Sequence, residues 1–96
     1  MNREQVLDIL RTHKPTLAER FGVIELALFG SFARNQATER SDVDVLVGFD
    51  KLPDYRRYFG AQFYLEDLFE RPVNMACEDE IRAEIRPYVE QDAINV

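Results

Sequence analysis

Ninety-six residues make one domain, spanning 1–96, with a single core and no room for a second. Hydrophobic residues at 46% and charged residues at 31% are the composition of a folded chain, and a net charge of −6 with scattered Lys and Arg argues against long nucleic acid as partner. No apolar run approaches the roughly 20 residues that span a bilayer, MNREQVLDIL lacks a signal-peptide pattern, and the single Cys77 has no partner for an internal disulfide, so a cytoplasmic location is expected.

In chain order, NREQVLDILRTH places Val6, Leu7 and Leu10 on one helical face behind Asn2 as N-cap. Pro15 is expected to end this helix, or to open a short second one that runs to Arg20 and stops at Gly22. VIELALF and VDVLVGF show little alternation, the pattern of strands covered on both faces. LPDY is a turn that starts a helix reaching Glu70, and RPVNMAC is a third strand. EDEIRAEIRPYVEQDA is helical but interrupted at Pro87, and INV forms a short tail. The order α-(α)-β-β-α-β-α predicts an α+β fold, a small sheet of about three main strands with helices packed on it.

The chemistry sits in FGSFARNQATERSDVDVLVGF. Gly30-Ser31 ends one strand, and ten residues later Asp42 and Asp44 flank Val43 at the start of the next. Alternation puts Asp42 and Asp44 on one face and Val43, Val45 and Val47 on the other. Two carboxylates so close together repel, and a divalent cation held by hard oxygen ligands, Mg²⁺ above all, resolves the conflict. Gly30 admits a ligand close to the backbone, and Ser31 offers a hydroxyl and an N–H at the start of a helical turn suited to phosphate oxygens. Metal carboxylates opposite a phosphate cradle point to nucleotidyl transfer. Taken singly, Gly-Ser is an ordinary turn and SDVD an ordinary strand start; the combination at this spacing carries the reading.

LFGSFARNQATERSDVDVLVGF resembles the signature of the minimal nucleotidyltransferases, small members of the DNA polymerase beta superfamily, with Gly-Ser and Asp-x-Asp falling on Gly30, Ser31, Asp42 and Asp44. RFGVIELALFGS, RPV and IRPYVEQDAINV extend the resemblance over nearly the whole chain. It implies a mixed-sheet nucleotidyltransferase core, Mg²⁺ on Asp42 and Asp44, and a triphosphate held at Gly30 and Ser31. It further implies an antitoxin whose partner is a HEPN-type ribonuclease toxin, silenced by transfer of AMP from ATP to a tyrosine hydroxyl.

Two positions depart from the family pattern. Asn35 stands where the family has glycine, and asparagine tolerates a left-handed backbone. Asn74, in PVNMA, stands where the superfamily carries its third catalytic carboxylate. Alternation aims Asn74 and Ala76 at one face, so the Asn74 amide faces the site; its carbonyl can ligate Mg²⁺, but it cannot take a proton from an acceptor hydroxyl. Glu78, Asp79 and Glu80 follow downstream, with no signal that one of them substitutes.

On the helix beginning at Tyr55, Tyr58, Ala61, Leu65, Leu68 and Phe69 form the core face. Phe59 and Phe63 fall on the charged side with Glu66, Asp67 and Glu70, as a partner surface or beneath a covering loop. His13 is expected at the surface, Cys77 as strand-end packing, and Arg34 and Arg40 as phosphate contacts or solvated loop residues. Two functions follow: an enzyme transferring AMP to a protein hydroxyl, or a nucleotidyltransferase fold that neutralises its toxin by binding, with catalysis weakened at Asn74.

Overall fold

The computed structural model describes residues 1–78, 84 and 86–96. Helix α1 covers Arg3–Phe21, opened by a capping box in which Asn2 accepts from the Gln5 N–H and Gln5 accepts from Asn2. It runs through Pro15 without a break. A proline inside a helix costs about 3 kcal/mol or more, yet Leu10 and Leu17, on either side of it, are both fully buried. Core packing on the two flanks therefore overrides the local penalty, and the expected end at Pro15 is not found. The helix ends where Gly22 adopts a left-handed φ of 74° and donates its N–H to Ala18 O.

Strand β1 (Val23–Phe29) leads into a one-turn helix α2 (Gly30–Ala33), and β2 (Val43–Phe49) follows the loop. Helix α3 (Tyr55–Phe69), capped by Asp54 on the Arg57 N–H, precedes β3 (Val73–Cys77). Helix α4 (Arg86–Asp92) carries Pro87 in its first turn, where a missing N–H is harmless, and β4 (Ile94–Asn95) closes the chain. The upstream part of the expected C-terminal helix lies outside the described residues.

The four-stranded sheet has the order β3-β2-β1-β4, with β2 parallel to β3 and antiparallel pairing elsewhere. The tail expected at INV is thus a strand: Ile94 and Asn95 pair with Leu28 and Ala27, and Val96 donates to Leu26 O. Helices α1 and α3 pack on one face of the sheet and on each other, over Val6, Leu10, Leu17, Val23, Val43, Val45 and Leu65. In β2 the three inward valines are buried while Asp44 and Leu46 are only half-buried. The opposite face of β2 is therefore not covered as the apolar run suggested, and it is there that the polar residues emerge.

The outer edge of β3 is closed by one stripe of α3. The Tyr58 hydroxyl donates to Met75 O, Gln62 donates to Val73 O, and Glu66 accepts from the Val73 N–H. These residues are spaced i, i+4, i+8, so a single helical face satisfies three of the strand's outward backbone groups.

Candidate active site

The register brings three segments together. Phe29, at the end of β1, pairs with Asp44 near the start of β2, and Asp44 pairs with Asn74 on β3. Asp42 lies just before β2. Side chains on paired residues point to the same face, so Asp44 and Asn74 meet there, and Asp42 joins them from two residues upstream.

The contacts are specific. The Asn74 amide nitrogen donates to Asp44 Oδ1 at 2.9 Å and to Asp42 Oδ2 at 3.4 Å. Ionised carboxylates only accept, so the NH₂ end of the amide must face them. Asn74 bridges the two aspartates and offsets their mutual repulsion. Its side chain takes the face that alternation assigned to it, but in a donating role.

Gly30 completes the contact from the other side. It is buried, has a φ of 74°, and a Cβ built there would collide with the Asp44 carboxylate. Only a residue without a side chain allows this backbone to lie against Asp44. Ser31 follows, half-buried, in the first turn of α2, where the cap position Phe29 provides no side-chain acceptor. Asn35 has a φ of 59°, so it does occupy the left-handed region where the family has glycine.

The donor set fits a hard divalent cation: two carboxylates, with an amide that offers its oxygen if it turns over. One electropositive group, the Asn74 NH₂, already satisfies both carboxylates at the point a cation would take. Among the described residues no group of three or more His, Cys, Asp or Glu is arranged to hold a metal. Glu78 does not fill the role. Its carboxylate lies beside Gly48, four positions along β2 from Asp44, or roughly 13 Å at strand spacing. Asp79 and Glu80 lie outside the described residues.

Several side chains are resolved by their partners. Arg34 forms an ion pair with Asp92 at 2.6 Å, which directs its guanidinium to α4. Arg40 is exposed. His13 is half-buried, its Nδ1 2.8 Å from the Tyr64 hydroxyl, rather than a free surface residue. Cys77 is buried at the end of β3, as packing required. Phe59 and Phe63 are 46% and 60% exposed and stack at 6.3 Å, so no described segment covers them. A groove of ≈ 410 Å³ links Asn74 and Phe29 to Tyr58, Phe59 and Gln62, joining the aspartates' surroundings to this aromatic patch.

One residue near the site, the first of the RPV stretch, received no role from the sequence. Arg71 places its Nη1 3.2 Å from Ser41 O, next to Asp42, and its guanidinium over the Phe32 ring at 5.5 Å.

A mixed sheet that delivers a Gly-Ser turn and an Asp-x-Asp pair to neighbouring strand ends defines a transferase of the nucleotidyltransferase type. The profile of the nucleotidyltransferase domain matches residues 10–95, and the chain belongs to that family. It is 42% identical over 93 residues to Methanocaldococcus jannaschii MJ0128, assigned as a protein adenylyltransferase, covering 96% of this chain and 95% of that one. It is 37% identical over 93 residues to the protein adenylyltransferase MntA of Thermococcus cleftensis, covering 97% and 94%. A solved structure assigned as a minimal nucleotidyltransferase matches with a TM-score of 0.83 at 30% identity, over 100% of this chain and 97% of that one. The fold alone is shared with a chain from the complex of tri-AMPylated Shewanella oneidensis HEPN toxin with MNT antitoxin. That match has a TM-score of 0.61 at 16% identity, over 98% of this chain and 67% of that chain.

Proposed function

We propose that the protein is the antitoxin of a HEPN-type toxin and transfers AMP from ATP to a tyrosine hydroxyl of that partner, in the cytoplasm and with Mg²⁺. The observation that carries this reading is the meeting of Asp42 and Asp44 beside Gly30, at 3.4 and 2.9 Å respectively from one shared donor. Its biological side is supported by relatives named as protein adenylyltransferases and by a fold neighbour from a toxin–antitoxin complex.

In the transfer, the acceptor oxygen attacks the α-phosphorus of ATP, the bond to the bridging oxygen breaks to release pyrophosphate, and the hydroxyl proton passes to solvent water. Asp42 and Asp44 hold the cation from the protein side. Bound Mg²⁺ supplies charge neutralisation at the reacting phosphates. Gly30 leaves space against the Asp44 carboxylate, and Ser31 orients phosphate oxygens through its hydroxyl and N–H. Asn74 keeps the aspartates aligned but cannot accept the proton. General-base assistance contributes about 10²–10⁴-fold, so turnover suffers at this site more than nucleotide binding does. The exposed Phe59, at the end of the groove leading from Asn74, and Phe63, stacked on it, form the surface that meets the toxin.

The Asn74 bridge also favours a second reading, in which the fold neutralises its toxin chiefly by contact. Incubating the purified pair with labelled ATP and Mg²⁺ separates the two. Label transferred to the toxin supports the enzymatic reading; tight association and inhibition with no label on the toxin supports the contact reading.

A further inference from the structure

We propose that Arg71 is a positioning residue that sets Asp42 against the Gly30-Ser31 segment; this rests on the metal–nucleotide reading above. Arg71 follows Glu70, whose left-handed φ of 53° turns the chain from α3 into β3. From that turn the chain grips both sides of Asp42. Arg71 Nη1 donates to Ser41 O at 3.2 Å, and the Val43 N–H donates to Pro72 O at 3.1 Å. The peptide groups before and after Asp42 are thus both tied to consecutive residues of one rigid turn.

The same guanidinium reaches the other half of the signature. Its carbon lies 5.5 Å from the centroid of the Phe32 ring, and Phe32, the residue after Ser31, is 1% exposed. Phe32 is an immobile core anchor, so a cation stacked on it inherits a fixed position. Ten residues separate Ser31 from Asp42; the β1–β2 pairing fixes Asp44 against Phe29, while Asp42 sits at the end of the irregular segment that follows α2. Arg71 shortens the connection to one side chain: Phe32 ring, guanidinium, Ser41 carbonyl, Asp42. Among the described residues no carboxylate pairs with Arg71, and its Nε is buried without a hydrogen-bond partner. Among the described residues the guanidinium therefore serves this junction rather than an ion pair.

The chain of contacts also explains why Arg is suited to the position and Lys is not. A flat guanidinium stacks on a ring and donates sideways at the same time, whereas an ammonium does one or the other.

The test measures Mn²⁺–ATP binding by electron paramagnetic resonance in the wild type, Arg71→Met, Asp42→Asn and the double variant. Methionine keeps a long apolar stem beneath Phe32 and removes the donor. Arg71→Met is expected to weaken metal–nucleotide binding by about tenfold, the low end for loss of an outer-shell support. It should leave the melting temperature nearly unchanged and add nothing further in the Asp42→Asn background. A general structural role would weaken binding equally in both backgrounds, and that result overturns the proposal, as does unchanged binding in Arg71→Met. If Arg71→Met fails to fold, Arg71→Lys is read in the same cycle, with the same outcomes. If the wild type binds no Mn²⁺–ATP, the metal–nucleotide reading itself fails, and amide exchange in the ligand-free protein decides on Arg71. Faster exchange at Val43 in Arg71→Met, with Leu28 and Leu65 unaffected, supports the restraint on Asp42; unchanged exchange at Val43 overturns it.

Discussion

Replacing Asn74 with Asp changes almost nothing in shape and reverses the chemistry at the centre of the site. The two contacts that Asn74 donates to Asp44 and Asp42, at 2.9 and 3.4 Å, become contacts between like charges. Asn74 is exposed, so the water-like limit applies, and each repulsion at ~3 Å is worth about 1–1.5 kcal/mol. Relaxation of exposed side chains reduces the sum, leaving an expected loss of about 1–2 kcal/mol without metal. For a domain of this size that corresponds to a Tm lower by roughly 5–15 °C. Saturating Mg²⁺ should reverse the loss, since ligand at about 100 times its Kd adds ~2.7 kcal/mol to the native state. In the presence of toxin and ATP, the new carboxylate should raise AMP transfer at least about tenfold, the low side of general-base assistance. Melting with and without Mg²⁺, followed by single-turnover labelling of the toxin, measures both effects. Rapid transfer by the natural protein, unchanged in Asn74→Asp, would refute the reasoning: the third carboxylate would then come from elsewhere, and β3 would not be the catalytic strand.

Asp42→Ala with Asp44→Ala should abolish the Mg²⁺ dependence of ATP binding in calorimetric titration; metal-independent binding unaffected by the pair would remove them from the site. Gly30→Ala must accept a left-handed backbone at about 1–2 kcal/mol and pushes the Asp44 carboxylate aside. Metal–nucleotide affinity should therefore fall more than Tm does, whereas a variant that melts lower but binds normally would divorce Gly30 from the site. Phe59→Ser with Phe63→Ser should weaken toxin association and leave Tm within a few degrees, because both rings are exposed; a large drop in Tm would return them to the core. The hydrogen bond from Arg57 holds the Asp50 carboxyl below its usual range. A carboxyl with a lowered folded-state pKa adds stability above its unfolded value, lost as pH falls through the folded one. Acid unfolding of Asp50→Asn should accordingly lose a small part of its slope below about pH 4, small because the pair is solvent-screened.

What could be read from the chain was what depends on short spacing. Gly30-Ser31 and Asp42-x-Asp44 fall within one short stretch of sequence, on either side of a single loop, and the parity of β3 was enough to aim Asn74 at them. The core face of α3 followed from helical period, as did the displacement of Phe59 and Phe63 to the outside. Pro15 misled because its local penalty is overridden by Leu10 and Leu17, whose burial is a tertiary property. β4 was invisible because a two-residue strand has no period of its own and exists only through its pairing with β1. His13 was assigned to the surface because its partner, Tyr64, lies far away in the chain. Arg71 escaped for the same reason: its meaning lies in the simultaneous proximity of residues 32 and 41.

The polar stripe along the outside of β3 bears on how the protein behaves when alone. A bare terminal strand invites a second chain to continue the sheet, and repetition of that step builds aggregates. Here Tyr58, Gln62 and Glu66 already occupy Val73 and Met75 backbone groups that such a neighbour would need. A copy approaching edge-on from this side must break those bonds before it gains any. Helix α3 thus guards this edge against self-association with one row of side chains, while the next row, Phe59 and Phe63, stays exposed.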